Sequence, residues 1–300
     1  MEPENSNTFD RFGSSVAFDG DTVVVGDAAD FNLIYDVGSA TVFERSNEQW
    51  MRIARLTNPQ NPGAARFGKS VAISGGLMLV GANEDVVDGS HSGAVYAYER
   101  INGKWQFTER LIAGDPSSDN FGYSLCMEGD TAIVGSKGDD EFGDASGAAF
   151  VFRRINDAWQ QVAKLSAQDA AEGDQFGFSV AMSGDLAVIG APFDDDVASN
   201  CGAVYVFRET NGVWAQVAKL LGTDLSANNQ FGISVAVDAD TIVASTFHFQ
   251  KIHFHIFETT GNGWEQTGFR QGKGGGLLDF ENSVAIHNGR VVVAEARFRH

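Results

Sequence analysis

Several things are scarce in this 300-residue chain, and each scarcity narrows the field. Cysteine occurs twice, at Cys126 and Cys201, too rarely for a disulfide framework. No CxxC pair or Cys/His cluster suggests zinc. Basic residues are short: 21 Lys and Arg face 40 Asp and Glu, for a net charge of −19. Phosphate backbones and anionic lipid surfaces require clustered Lys and Arg, so nucleic acid is not an expected partner, whereas cations and basic partners are permitted. No apolar run approaches the roughly 18 residues that a membrane helix needs, and no membrane insertion is expected. The opening MEPENSNTFD lacks a basic segment followed by an apolar one, so the expectation is an intracellular protein or one whose leader has been removed. No GxSxG, HExxH or P-loop is present, and no acidic pair recurs in an apolar setting that would tune a glycosidase acid. Gly272–Gly276 has no helix to follow it and reads as a loop. A sustained 3.6-residue period is also missing, which predicts almost no helix.

What is present is repetition. The dipeptide Phe-Gly occurs at Phe12, Phe67, Phe121, Phe176 and Phe231, with a worn copy at Phe280-Glu281. Trp50, Trp105, Trp159 and Trp214 each follow their Phe by 38 residues, and Trp264 follows by 33. Within each module four short apolar runs recur, bounded by Gly, Asn and Asp. In the fourth module they are SVAM, LAVIGA, AVYVF and WAQVAKL. Runs this short and this rich in Val and aromatics are strands. Four strands per module of about 40–55 residues predict an all-β fold, a β-propeller of antiparallel four-stranded blades. The third run is apolar on both faces, as in a blade packed between neighbours. The first run alternates small residues, such as Ser179 and Ala181, which suit the crowded strand nearest the axis. The tryptophan opens the fourth strand, where its ring can cap the gap between blades.

These residues carry a resemblance. The text FGFSVAMSGDLAVIGAPFDDD, followed by GAVYVF and VAKL, resembles the FG-GAP repeat found in the head of integrin alpha chains. The similarity covers roughly residues 9–296 and is specific at Gly190-Ala191-Pro192. It implies a propeller, usually of seven blades, and a tendency toward extracellular adhesion or protein recognition. The calcium loops that integrins carry between the first two strands are absent, since that connection here is the short hairpin Met182–Asp185, so their ligands do not transfer. Residues 1–8 read as a tail and 9–300 as one propeller, with modules starting near 12, 67, 121, 176, 231 and 280. Five complete modules and two further strands predict six blades or an incompletely closed ring. Part of a seven-bladed ring is the alternative.

The loop after the second strand is the acidic one. Its runs Asp139, Asp140, Glu141, Asp144 and Asp194, Asp195, Asp196 are candidate calcium ligands, with a solvated loop as the competing reading. No other cofactor is expected. The fifth module loses these acids and reads STFHFQKIHFHIF. His253 and His255 share a strand face and fall in the slots of Ala203 and Tyr205, so a packed histidine is favoured over a metal ligand. His248, Phe249, Lys251 and His253 form a candidate partner contact. The leading functional expectation is a non-catalytic recognition or adhesion scaffold, or a subunit of a larger assembly with another protein as partner. A glycan-binding lectin comes second, and an enzyme on a propeller scaffold third.

Overall fold

The computed structural model describes residues 11–28, 37–60, 65–114, 118–248, 251–261, 263–271 and 283–293. Every regular element among them is a strand. No helix among the described residues is long and apolar enough to cross a membrane. The first module supplies β1 (Phe12–Asp19), β2 (Thr22–Asp27), β3 (Ser39–Ser46) and β4 (Gln49–Leu56). The second supplies β5 (Phe67–Ser74), β6 (Leu77–Ala82), β7 (Ala94–Ile101) and β8 (Lys104–Leu111). The third supplies β9 (Ser118–Glu128), β10 (Thr131–Asp139), β11 (Ala148–Ile155) and β12 (Ala158–Leu165). The fourth supplies β13 (Ser179–Ser183), β14 (Leu186–Ala191), β15 (Ala203–Thr210) and β16 (Val213–Leu220). The fifth supplies β17 (Ser234–Asp238), β18 (Thr241–His248), β19 (Lys251–Thr260) and β20 (Gly263–Gln271). A two-stranded sheet, β21 (Val284–His287) and β22 (Arg290–Val293), follows. Each of the five modules is one four-stranded sheet with its strands in chain order.

The sheets are copies in register as well as in order. Between the third and fourth strands the pairing shifts at Val42/Phe43, Ala97/Tyr98, Val206/Phe207 and Ile256/Phe257, one bulge at one equivalent place. The middle strands are buried on both faces, β14 and most of β15 completely, which is why their sequences run apolar instead of alternating.

Backbone contacts divide the chain into two compact units, one comprising Met1–Val134 and Phe152–Val162, the other Gly135–Val151 and Ala163–His300. In the first, Val24, Ala40 and Val42 of the first sheet pack against Phe67, Val71, Ile73, Met78 and Tyr96 of the second, with Trp105 at the edge. In the second, Val188, Val204 and Val206 of the fourth sheet meet Phe231, Val235, Val237 and Ile242 of the fifth, with Trp264 at its edge. In both clusters the Phe of the next module's Phe-Gly packs among the apolar residues of the module before it.

The Phe-Gly dipeptide anchors this packing. Phe67, Phe121, Phe176 and Phe231 are fully buried. Their amides donate to the preceding module, Phe176 to the Ser146 carbonyl at 3.0 Å and Phe231 to the Cys201 carbonyl at 2.9 Å. The following glycine takes a left-handed backbone, with φ of 87° at Gly232, which L side chains resist. Gly190, the first letter of GAP, has another reason to be glycine: a Cβ there would fall on the Gly232 carbonyl oxygen. The motif is therefore a packing device.

Candidate recognition site: loops held by buried ion pairs

The connections between second and third strands carry the acids, and one aspartate organises each described loop. In the fourth module it is Asp194, four residues after Gly190 and eight before Gly202. Its carbonyl accepts the Gly202 amide at 2.9 Å, closing the loop at its base. Its Oδ1 accepts the Asp196 amide at 3.3 Å, a local Asx turn. Its Oδ2 accepts from the Tyr205 hydroxyl at 2.7 Å and from the Lys219 ammonium at 2.8 Å. One side chain thus ties the loop to the third strand and the fourth.

The same construction recurs with changed parts. In the second module Asp85 accepts the Gly93 amide at 3.0 Å, the Tyr96 hydroxyl at 2.5 Å and Arg110 Nη2 at 2.8 Å. In the third, Asp139 accepts the Gly147 amide at 2.8 Å and Lys164 Nζ at 2.9 Å. Phe150 replaces the tyrosine there, and Lys164 lies 5.4 Å from its ring centre. These aspartates are buried although they stand in acidic runs, and each has a cation beside it. A charge taken out of water needs such a partner. One acid of each run, Asp85, Asp139 or Asp194, is thus buried and paired, whereas Asp88, Asp140 and Asp195 are exposed.

Lys219 pairs with three carboxylates at once. Its ammonium lies 2.8 Å from Asp169 Oδ2, 2.8 Å from Asp194 Oδ2 and 2.7 Å from Asp196 Oδ2. The ligand atoms of these three carboxylates lie within 4.8 Å of one another. The candidate calcium run is therefore divided. Asp194 and Asp196 come together with Asp169, which sequence reasoning did not single out, while Asp195 is exposed and outside the trio. In the other run Asp139 and Glu141 share Lys164, Asp140 accepts its own loop's Ala145 amide at 2.8 Å, and Asp144 is exposed. In both places an ammonium group stands among the carboxylates where a cation would stand.

The electrostatics follow. Burial works against the Lys219 charge, but the hydrogen bonds it donates to Asp169, Asp194 and Asp196 outweigh it and hold its pKa above the ordinary lysine value. Burial raises the Tyr205 pKa, and its bond to Asp194 adds to the effect. Asp174, buried next to this group, is pushed up to about 6 by desolvation, and by the charges of Asp194 and Asp195. Sequence held a signal for the missed cations: a basic residue stands five positions after the tryptophan at Arg55, Arg110, Lys164 and Lys219.

In the fifth module the arrangement is replaced as a set. Register places His255 in the Tyr205 slot and Phe269 in the Lys219 slot. His255 is buried, with its ring 5.1 Å from both Phe231 and Phe269. It is a packed histidine, as its register suggests. Of the candidate partner contact, Phe249 lies outside the described residues. His248 and Lys251 pair through their backbones, and their side chains are likewise outside the description. His253 is half-buried, its ring 5.2 Å from Phe269.

Four-stranded antiparallel modules, with a Phe-Gly whose Phe67, Phe121, Phe176 or Phe231 is fully buried at four described seams, define the blades of a β-propeller. The chain belongs to the FG-GAP repeat family, whose model matches residues 1–43, 50–98, 105–152, 159–207 and 214–250. It is similar to integrin alpha-6 of Gallus gallus, at 25% identity over 167 residues, and to integrin alpha-7 of Homo sapiens, at 27% over 209 residues. These matches cover 50% and 62% of this chain and 15% and 17% of those proteins, so the chain spans a small part of the relatives' length.

Proposed function

We propose that this propeller is a non-catalytic recognition or adhesion domain that binds another protein through its second-to-third strand loops, at a cell surface or outside the cell. One observation carries the reading. Each described loop in modules two to four is fixed at its base by a buried aspartate bound to a cation of the fourth strand. Loops held this way are pre-organised, and a pre-organised surface loses less entropy when a partner docks. The similarity to integrin alpha chains supports the same class of function.

The test combines a glycan array with crosslinking of the immobilised chain to proteins on intact cells, followed by direct binding of each recovered protein. A purified protein partner whose binding is lost when the loop tips are changed supports the proposal. Specific glycan hits with no protein partner would assign the chain to the lectins instead.

A further inference from the structure

Three seams between neighbouring sheets are built from the same slots. Val71 and Ile73 of the second module pack among Ala17 and Val24 of the first. Val235 and Val237 of the fifth pack among Ala181 and Val188 of the fourth. Val284 and Ile286 of the two-stranded sheet pack among Ala236 and Val243 of the fifth. Register fixes the equivalence: Ala17, Ala181 and Ala236 stand opposite Val24, Val188 and Val243 across the first two strands.

Both halves of this seam also occur uncovered. In the first module Val16 and Phe18 hold the slots of Val71 and Ile73. They are 61% and 63% exposed, whereas Val71, Ile73, Val235 and Val237 are buried. In the two-stranded sheet Ala285 stands opposite Val292, as Ala17 stands opposite Val24. Ala285 is exposed and Val292 is 66% exposed, whereas Val24, Val188 and Val243 are fully buried. Elsewhere on the first module's face Val23, Val25 and Phe43 are already buried. What that face needs is a cover for its first strand.

We propose that these two surfaces meet between copies of this chain: the first module of one copy docks on the two-stranded sheet of another, repeating the seam that joins modules within a copy. Exposed Val and Phe side chains alone would name no partner. Here the chain itself records what covers those slots, in three seams that use the slots of Ala285 and Val292. The extent of the two surfaces agrees as well. β21 and β22 supply a first and a second strand, and Val16 and Phe18 lie on a first strand. The two faces differ, so the contact is heterologous: each pairing leaves one face of either kind free, and copies add head to tail. A net charge of −19 on every copy opposes the contact. Burial of Val16, Phe18 and Val292 drives it, so it strengthens as salt screens the repulsion. This self-association is independent of the recognition function above.

The test is sedimentation velocity of the full chain over roughly 2 to 200 μM, the range in which a small apolar interface associates. The mass is expected to rise with concentration above the 32.1 kDa of one chain. It should rise further as salt goes from roughly 50 to 500 mM. Phe18→Asp and Val292→Asp should each weaken association at least about tenfold. Both side chains are exposed, so both variants should fold, which circular dichroism checks. Val16→Lys and Ala285→Lys take their places if either does not. Mixed in equal amounts, Phe18→Asp and Val292→Asp should form a dimer and nothing larger, because each keeps the face that the other has lost. A parent chain that stays at the mass of one chain throughout overturns the proposal. So does association that weakens with salt, or variants that remain single when mixed. Association abolished by Phe18→Asp and untouched by Val292→Asp would be a contact between like faces, and overturns it too.

Discussion

The Ser179 hydroxyl donates to the Gly232 carbonyl oxygen at 2.7 Å, across 53 residues of sequence. Ser70 stands in the same relation to Gly122 at 2.7 Å, and Ser15 to Gly68 at 2.8 Å. The serine comes from the first strand of one blade and the glycine from the Phe-Gly of the next. Gly190 pairs with Ser179 across β13 and β14, and a Cβ on it would collide with the same carbonyl. Two residues of one blade, Ser179 and Gly190, therefore converge on one carbonyl oxygen of the next.

Two variants separate these contributions. Ser179→Ala removes one donor and is expected to cost about 1 kcal/mol. Gly190→Ala pushes a methyl group into backbone that cannot rotate away, and should cost about 3 kcal/mol, the upper end for overpacking. Urea unfolding of both would show it. A Gly190→Ala midpoint no lower than that of Ser179→Ala would mean that the blades separate easily at this seam.

Lys219→Met leaves Asp194, 3% exposed, beside Asp169 and Asp196 with no ammonium between them. Stranding a buried carboxylate costs about 3 kcal/mol, most of it at Asp194, because Asp196 at 58% exposed is screened by water. Three carboxylates drawn this close without the ammonium are oxygen ligands of the kind calcium takes. Millimolar calcium is therefore expected to restore part of the melting temperature of Lys219→Met and to leave the parent chain unchanged. An equal shift in the parent would show that calcium displaces the lysine.

The fold was legible because repetition averages out local ambiguity. One run such as AVYVF is an uncertain strand, but five in phase with Phe-Gly and Trp admit one architecture. The register of His255 against Tyr205 was legible for the same reason, since counting back from each tryptophan aligns the third strands. The inner geometry of the acidic loops was not. Asp194, Asp195 and Asp196 are chemically identical in sequence, and only their turn places the first in contact with Tyr205 and leaves the second in water. Lys219 lies 25 residues beyond Asp194, in a strand whose neighbouring residues look like ordinary surface. Asp169 belongs to the connection between blades, where no repeating pattern drew attention to it.

Asp174 should make the protein more stable as pH falls from 7 toward 4. Its folded pKa is raised to about 6 by burial, above the ordinary aspartate value, so the folded chain takes up its proton first. At pH 7 the charged form sits beside Asp194 and Asp195 and costs stability. Asp174→Asn keeps an oxygen for the Ala171 amide, which now donates to Asp174 Oδ2 at 2.8 Å. That variant is expected to melt about 2–4 °C higher at pH 7, the shift that about 1 kcal/mol gives in a domain of this size class. The gain should vanish near pH 4. A gain that is independent of pH would mean that the carboxyl group is not the cause.

His255 works in the opposite direction. Burial lowers its folded pKa to about 4, the Gln266 side chain at 3.4 Å opposes that, and nearby His253 disfavours a second charge. Its unfolded value is near 6.5, so between pH 6.5 and 4 the unfolded chain binds a proton that the folded chain refuses. Stability from this residue is complete above about 6.5 and is lost as pH falls to about 4. His255→Phe places in this slot the residue that Phe150 already supplies in the third module, and should remove the loss. The two groups therefore offset each other in mildly acidic solution. Melting temperatures taken every half unit from pH 4 to 7 should fall more steeply with acid in Asp174→Asn than in the parent. In His255→Phe they should fall less steeply, or rise. Parallel curves for all three chains would show that neither group changes protonation between the folded and unfolded states.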